Sequence, residues 1–244
     1  MKITSLSLVI ATAALSAGSI AMADSISLTP NHDNTLFDGG DLSSGAGEWL
    51  FAGTTNGGLR RRALMSFDLS TLPAGAVINS VSLSVVCDQV SRTSVTNLYG
   101  LHKVSASWGE GASNSSSSGA GTDAAPGDAT WAHRSFSSVL WTTPGGDFAP
   151  TASASTVLTG TGTYSFSDAG MVADVQAWLA NPSSNFGWLM KSNESGGGHG
   201  RRFISREAAT SQVPTLVIDY TVVPAPATAL LGVIGLAGAS RRRR

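Results

Sequence analysis

The chain has 244 residues with 15 Lys+Arg against 16 Asp+Glu, one cysteine, 28 glycines and only 13% charged residues. The formal charge of the whole chain is -1, a balance to which the basic residues at its two ends contribute strongly. One cysteine excludes an intrachain disulfide and a cysteine metal cluster.

The opening "MKITSLSLVIATAALSAGSIAMADS" has Lys2, an uncharged apolar run, and Ala-Met-Ala before Asp24. That order predicts a signal peptide over residues 1–23, cut after Ala23, and hence export. Lys2 and Arg241–Arg244 hold five of the fifteen basic residues, so the part between is mildly acidic, which argues against nucleic-acid binding through the overall field. Its roughly 200 residues suffice for one β-rich domain with a full core.

"DNTLFDGGD" (33–41) supplies Asp33, Asp38 and Asp41 at irregular spacing. Calcium takes several oxygen ligands, so these three are the candidates for a structural calcium; no other cofactor is expected. "EWLFAG" reads as a strand. "LRRR" (59–62) follows a Gly-rich loop, as does "HGRRF" (199–203) later on. If the two loops meet, Arg60, Arg61, Arg201 and Arg202 form a cationic patch suited to an anionic polysaccharide. The alternative is solvated charge that protects a strand edge.

"RALMSFDLS" alternates, with Ala63, Met65, Phe67 and Leu69 inward and Arg62, Leu64, Ser66 and Asp68 outward. "TLPAG" has turn chemistry. "VINSVSLSVVC" again alternates, with Val81, Leu83, Val85 and Cys87 inward, so Cys87 reads as a buried inert thiol. "SVTNLYGLHKV", "TYSFS", "FGWLMKS", "RRFIS" and "TLVIDYTV" are further strands. The Ser/Gly-rich segment 109–128 buries too little to hold itself and reads as a flexible loop. "SDAGMVADVQAWLANP" is the one helix: Met171, Val175, Trp178 and Leu179 share a face, Ser167 or Asp168 caps it, and Asn181-Pro182 ends it. It is expected to cover one end of an all-β sandwich or barrel.

The tail "VPAPATALLGVIGLAGASRRRR" puts two prolines before an apolar stretch and four arginines. The stretch is shorter than the roughly 20 residues of a usual spanning helix, and the arginines favour the cytoplasmic side. Val223, Pro224, Ala225, Pro226 and Arg241, Arg242, Arg243, Arg244 together resemble the PEP-CTERM sorting signal, with alanine where glutamate is usual. The resemblance implies transient lodging in the inner membrane of a Gram-negative bacterium and an exosortase-type sorting enzyme as partner. It also implies a final place at the cell surface or in the extracellular matrix.

"RRRALMSFDLSTLPAGAVINSVSLSV" (60–85) resembles the strand–turn–strand signature of DNRLRE-type domains. "ASWGEG", "DATWAHRSF…LWTTPGGDF", "VADVQAWLANPSSNFGWLM" and "RRFISREAATSQVPTLVIDY" continue the likeness in order. Such domains are similar to an alginate-binding carbohydrate-binding module family. The resemblance implies a jelly-roll-like β-sandwich and a non-catalytic role on extracellular polysaccharide.

No G-x-S-x-G and no metalloprotease-type His spacing occurs, and no convergent acid–base set can be named, so an enzyme is not expected. Sugar binding needs exposed aromatic faces with polar neighbours. Trp178 and Trp188 read as core; Trp49 is open between core and surface; Trp108 and Trp131 fit burial as well as stacking. Trp141, before "TTPGGD", is the best surface candidate, with His133 nearby in sequence. The rival function is a matrix or spacer protein that binds no sugar, with a polysaccharide lyase or hydrolase third.

Overall fold

Strict alternation builds the longest strand. Val81, Leu83, Val85 and Cys87 are all buried, while Ser80 is exposed and Ser82 and Ser84 are half-buried. The computed structural model describes residues 22–92 and 95–222. The signal-peptide segment, apart from Met22 and Ala23, and the whole sorting tail lie outside the described residues. Residues Ala23–Val222 form one compact unit.

The strands are β1 (Met22–Leu28), β2 (His32–Phe37), β3 (Leu42–Ser43), β4 (Trp49–Thr54), β5 (Arg60–Ser66), β6 (Val77–Val90), β7 (Asn97–Lys103) and β8 (Thr122–Asp123). They continue as β9 (His133–Ser135), β10 (Val139–Leu140), β11 (Ala154–Leu158), β12 (Gly162–Phe166), β13 (Trp188–Ser192), β14 (Arg201–Ile204) and β15 (Thr215–Val222). One helix, α1 (Ala169–Ala180), precedes a short 3-10 turn at Pro182–Ser184.

Every pairing with a recorded register is antiparallel. One layer is built on β6, which pairs with β15, β12 and β14; the other runs β2-β5-β13-β7-β11. Strand β4 joins them: Trp49–Ala52 pair with β14, then Gly53 and Thr54 pair with β5. Gly53 makes that corner at φ +103°, and a Cβ there would lie 2.4 Å from the His199 carbonyl oxygen. A side chain has no room at this bend. The result is an all-β, jelly-roll-like sandwich with one helix.

The main core lies between the layers and includes Leu50, Met65, Leu83, Tyr99, Phe166, Trp188, Phe203 and Ile218. Helix α1 closes one end of it with Met171, Val175 and Trp178. Gln176 ties the helix to β6, accepting the Ile78 N–H at 3.0 Å and donating to the Ala76 carbonyl at 3.1 Å.

Two expectations change. The "outward" face of β5 is not solvent-facing: Leu64 is fully buried in a second core with Leu36, Val104, Ala129, Trp131, Trp141 and Leu189. The long connection after β7 folds back over that face of the sheet, so β5 is covered on both sides. Segment 109–128, expected to be a flexible loop, is tied into the fold. Ser113 and Ser115 are buried; Ser115 Oγ lies 2.9 Å from Ser44 Oγ, and β8 pairs with β3. Asp128, fully buried, accepts the Ala112 and Ala125 N–H groups at 2.9 and 2.8 Å as well as the Ser113 hydroxyl. Polar satisfaction, rather than apolar burial, anchors the segment.

Candidate functional site

The turn after β5, the end of α1 and the 3-10 turn leave an apolar-lined cleft of about 490 Å3 beside the start of β2. Phe67 and Trp178 line it, and Trp178 is braced by Trp188 in an edge contact at 4.6 Å between ring centroids. Half-buried Trp108 and Phe186 line it too, joined by a 2.9 Å bond from Trp108 Nε1 to the Phe186 carbonyl. Exposed His32 meets the Trp108 ring edge-on at 6.4 Å.

Polar groups border these rings. Asn31, Asp68, Ser70 and Asn185 all line the cleft. Asn185 is held by a 2.8 Å bond from Nδ2 to the Phe67 carbonyl, and Asn31 Oδ1 accepts the Ser66 hydroxyl at 2.9 Å. Trp178 Nε1–H has no acceptor among the described residues. Asp68 is the one carboxylate lining the cleft; the Ser70 backbone N–H and side chain hold it below the usual range, so it stays ionised. The cleft therefore combines flat apolar surface with hydroxyl-matching groups, the combination a sugar ring needs.

Comparison with known families finds no family model that matches the chain, and comparison with curated proteins finds no match.

Trp108 lines the cleft, but Trp141, His133 and the four arginines lie elsewhere. Trp141 is 4% exposed, and its Nε1 donates to the Thr130 carbonyl at 2.9 Å. It fills the second core and presents no face to a ligand, which corrects the expectation of a surface ring. Trp131 is buried beside it, with the Arg60 and Arg62 guanidinium carbons each 4.6 Å from the indole centre. His133 sits on the β9–β10 hairpin, 3.3 Å from Asp41 and edge-on to Phe136, and does not line the cleft.

The arginine patch is corrected likewise. Arg61 and Arg201 are 5% and 2% exposed. Arg61 Nε donates to the Gly119 carbonyl at 2.9 Å and Arg201 Nη2 to the Val95 carbonyl. Arg202 grips Asp88 through two bonds of 3.0 and 2.7 Å and lies over Trp49. Arg60 pairs with Asp38 at 2.7 Å and borders a different depression. The two Gly-rich loops do meet, since Arg61, Arg201 and Arg202 line one small recess. Arg61 and Arg201 are nevertheless buried there on backbone carbonyls, and Arg202 is paired with Asp88.

The proposed calcium trio does not converge either, because Asp38 and Asp41 are engaged by Arg60 and His133. Asp33 instead joins Glu110 and Glu207, with one oxygen of each within 4.8 Å of the others. Burial, then the Glu207 charge beside it, pushes the Asp33 carboxyl well above its ordinary value. Arg206 Nε lies 2.8 Å from Glu110 and 2.7 Å from Glu207. Nothing in the sequence pattern joins Glu110 to Arg206 and Glu207, which lie almost a hundred positions further along the chain. The only signal for it was the acidic residue in "ASWGEG".

Proposed function

We propose that this chain is an exported, surface-sorted β-sandwich that binds extracellular polysaccharide without catalysis. The observation that carries the reading is the cleft in which Trp108 and Phe186 stand beside Asn31, Asp68 and Asn185. Aromatic faces accommodate the C–H face of a pyranose, and amide and carboxylate groups at the rim take its hydroxyls. A lone ionised carboxylate supports binding over hydrolysis, since glycoside hydrolysis by paired carboxylates needs a second one held protonated.

The resemblance of residues 60–220 to DNRLRE-type domains supports the same reading. Burial of Arg61 and Arg201, with Arg60 and Arg202 paired to Asp38 and Asp88, shifts the ligand away from a strongly anionic glycan. Export and surface sorting rest on the signal-like start and on the V-P-A-P tail with its arginines, which imply an exosortase-type partner.

The test is affinity electrophoresis of residues 24–222 in gels that contain alginate or neutral glycans. Retardation by at least one glycan, lost in Trp108→Ala, is expected. Unchanged mobility in every gel refutes the binding reading and favours a matrix or spacer role. Release of unsaturated sugar ends, followed by ultraviolet absorbance, refutes the non-catalytic part.

A further inference from the structure

Asp33, on β2, is fully buried, yet only one of its carboxylate oxygens is satisfied. Oδ2 accepts the Arg206 backbone N–H at 2.9 Å, and Oδ1 has no hydrogen-bond partner among the described residues. An unpaired oxygen on a buried carboxylate is costly, so such a group takes up either a proton or a counter-charge. Two further carboxylates crowd it, with one oxygen each of Asp33, Glu110 and Glu207 inside a 4.8 Å span.

One guanidinium stands among these three acids. Arg206 Nε and Nη2 donate to the two oxygens of Glu110 at 2.8 and 2.9 Å, and Nε lies 2.7 Å from Glu207 Oε1. The bond it gives Asp33 comes from its backbone. With all three acids ionised, two negative charges are left without a partner.

We propose that Asp33, Glu110 and Glu207 form a calcium site. Oxygens bound to one calcium at roughly 2.3–2.6 Å can stand no more than about 5 Å apart, and the observed span falls inside that limit. The donor set is all oxygen, which selects a hard cation over zinc or copper. The ligands come from three separate segments, namely β2, the connection after β7 and the loop after β14. That irregular origin suits the flexible coordination of calcium better than the octahedron magnesium demands, and solvent would fill the remaining positions.

The ion would fasten those three segments together. His32 and Trp108 lie one and two residues from Asp33 and Glu110, and the Asp33 backbone N–H already donates to Glu110 Oε1 at 2.8 Å. The ion would thereby tie together two segments that carry cleft-lining residues. The site itself requires no ligand in the cleft, so it stands or falls independently of glycan binding.

The experiment uses the purified chain stripped with EGTA. Calorimetric titration with calcium chloride should give one site per chain. Thermal unfolding should show a midpoint raised by roughly 5–10 °C when calcium exceeds its Kd about a hundredfold. Magnesium should do less. Asp33→Asn keeps the side-chain shape and the acceptor for Arg206 N–H but removes a charge; it should fold and lose the calcium response, as should Glu207→Gln. Asp41→Asn, outside the cluster, should keep it.

No heat and no midpoint shift in the wild type overturns the proposal, and so does a response that survives both cluster variants. If neither variant folds, hydrogen exchange on the wild type decides. Calcium should then protect the backbone around Asp33, Glu110 and Glu207, and protection elsewhere overturns the assignment.

Discussion

Arg62 and Glu194 form a two-pronged, nearly buried ion pair across 132 residues of chain, with Arg62 Nε and Nη2 donating to the two Glu194 oxygens at 2.7 and 2.8 Å. Their side chains are only 8% and 12% exposed. Arg62 also donates to the Gly145 carbonyl at 2.6 Å, so the pair links β5, the loop after β13 and the cover over the second core. Removing one partner strands a buried charge. Glu194→Gln is expected to destabilise the chain by roughly 3–5 kcal/mol, read from urea unfolding. A loss below about 1 kcal/mol would mean that solvent reaches Arg62 far more readily than its burial indicates.

The same pair sets an acid sensitivity. Burial alone would raise the Glu194 carboxyl, but hydrogen bonding and charge from Arg62, with the charges of Lys191 and Arg60, outweigh it and hold the group below its ordinary value. A depressed folded-state pKa contributes stability that is complete above the unfolded value and disappears as pH falls through the folded one. Urea midpoints should therefore drop between pH 6 and pH 3 more steeply in the wild type than in Glu194→Gln. Parallel profiles would show that Glu194 does not carry this dependence.

Trp141 and Trp108 should separate stability from binding. Trp141 is packed in the second core, so Trp141→Ala should cost roughly 3–5 kcal/mol while any folded fraction still binds glycan. Trp108 is half-buried at the cleft, so its loss should weaken glycan retardation by at least about tenfold, or 1.4 kcal/mol, with a smaller stability cost. The reverse pattern would place the binding surface on the second-core side.

Sequence alternation made the sandwich legible wherever a strand has one wet face. In β6 the period-2 pattern puts Val81, Leu83, Val85 and Cys87 inside, as the residues require. In β5 the same rule misplaces Leu64 and Arg62, because the connection after β7 covers the second face and nothing local announces a cover. Trp141 is hidden for the same reason: its flanking Thr, Pro and Gly look like a surface turn, yet the ring plugs that cover. The Ser-rich segment hid its anchors, since Ser113 and Ser115 hold it through hydroxyl bonds to Asp128 and Ser44 instead of apolar contacts. Glu110 and Asp33, 77 positions apart, meet only through the fold. The helix is legible because its apolar face and its Asn181-Pro182 stop are both local, but its cap is not: Asp168 holds the N-cap position without a side-chain bond, and the Ser167 hydroxyl donates to the Val81 carbonyl.

Cys87 gives a last, independent check on the β6 register. Its thiol points into the core, is 1% exposed, and is pushed up to about 11, chiefly by burial. At pH 8 about one thiol in a thousand would be ionised, and that one would still lie beneath the sheet. Reaction with a disulfide reagent should thus be at least about 100-fold slower in the native chain than in guanidinium, with a rate that follows opening of the fold. Labelling in the native state as fast as that of a free thiol would move Cys87 to the outer face. By the two-residue period of the strand, that would turn Val81, Leu83 and Val85 outward with it.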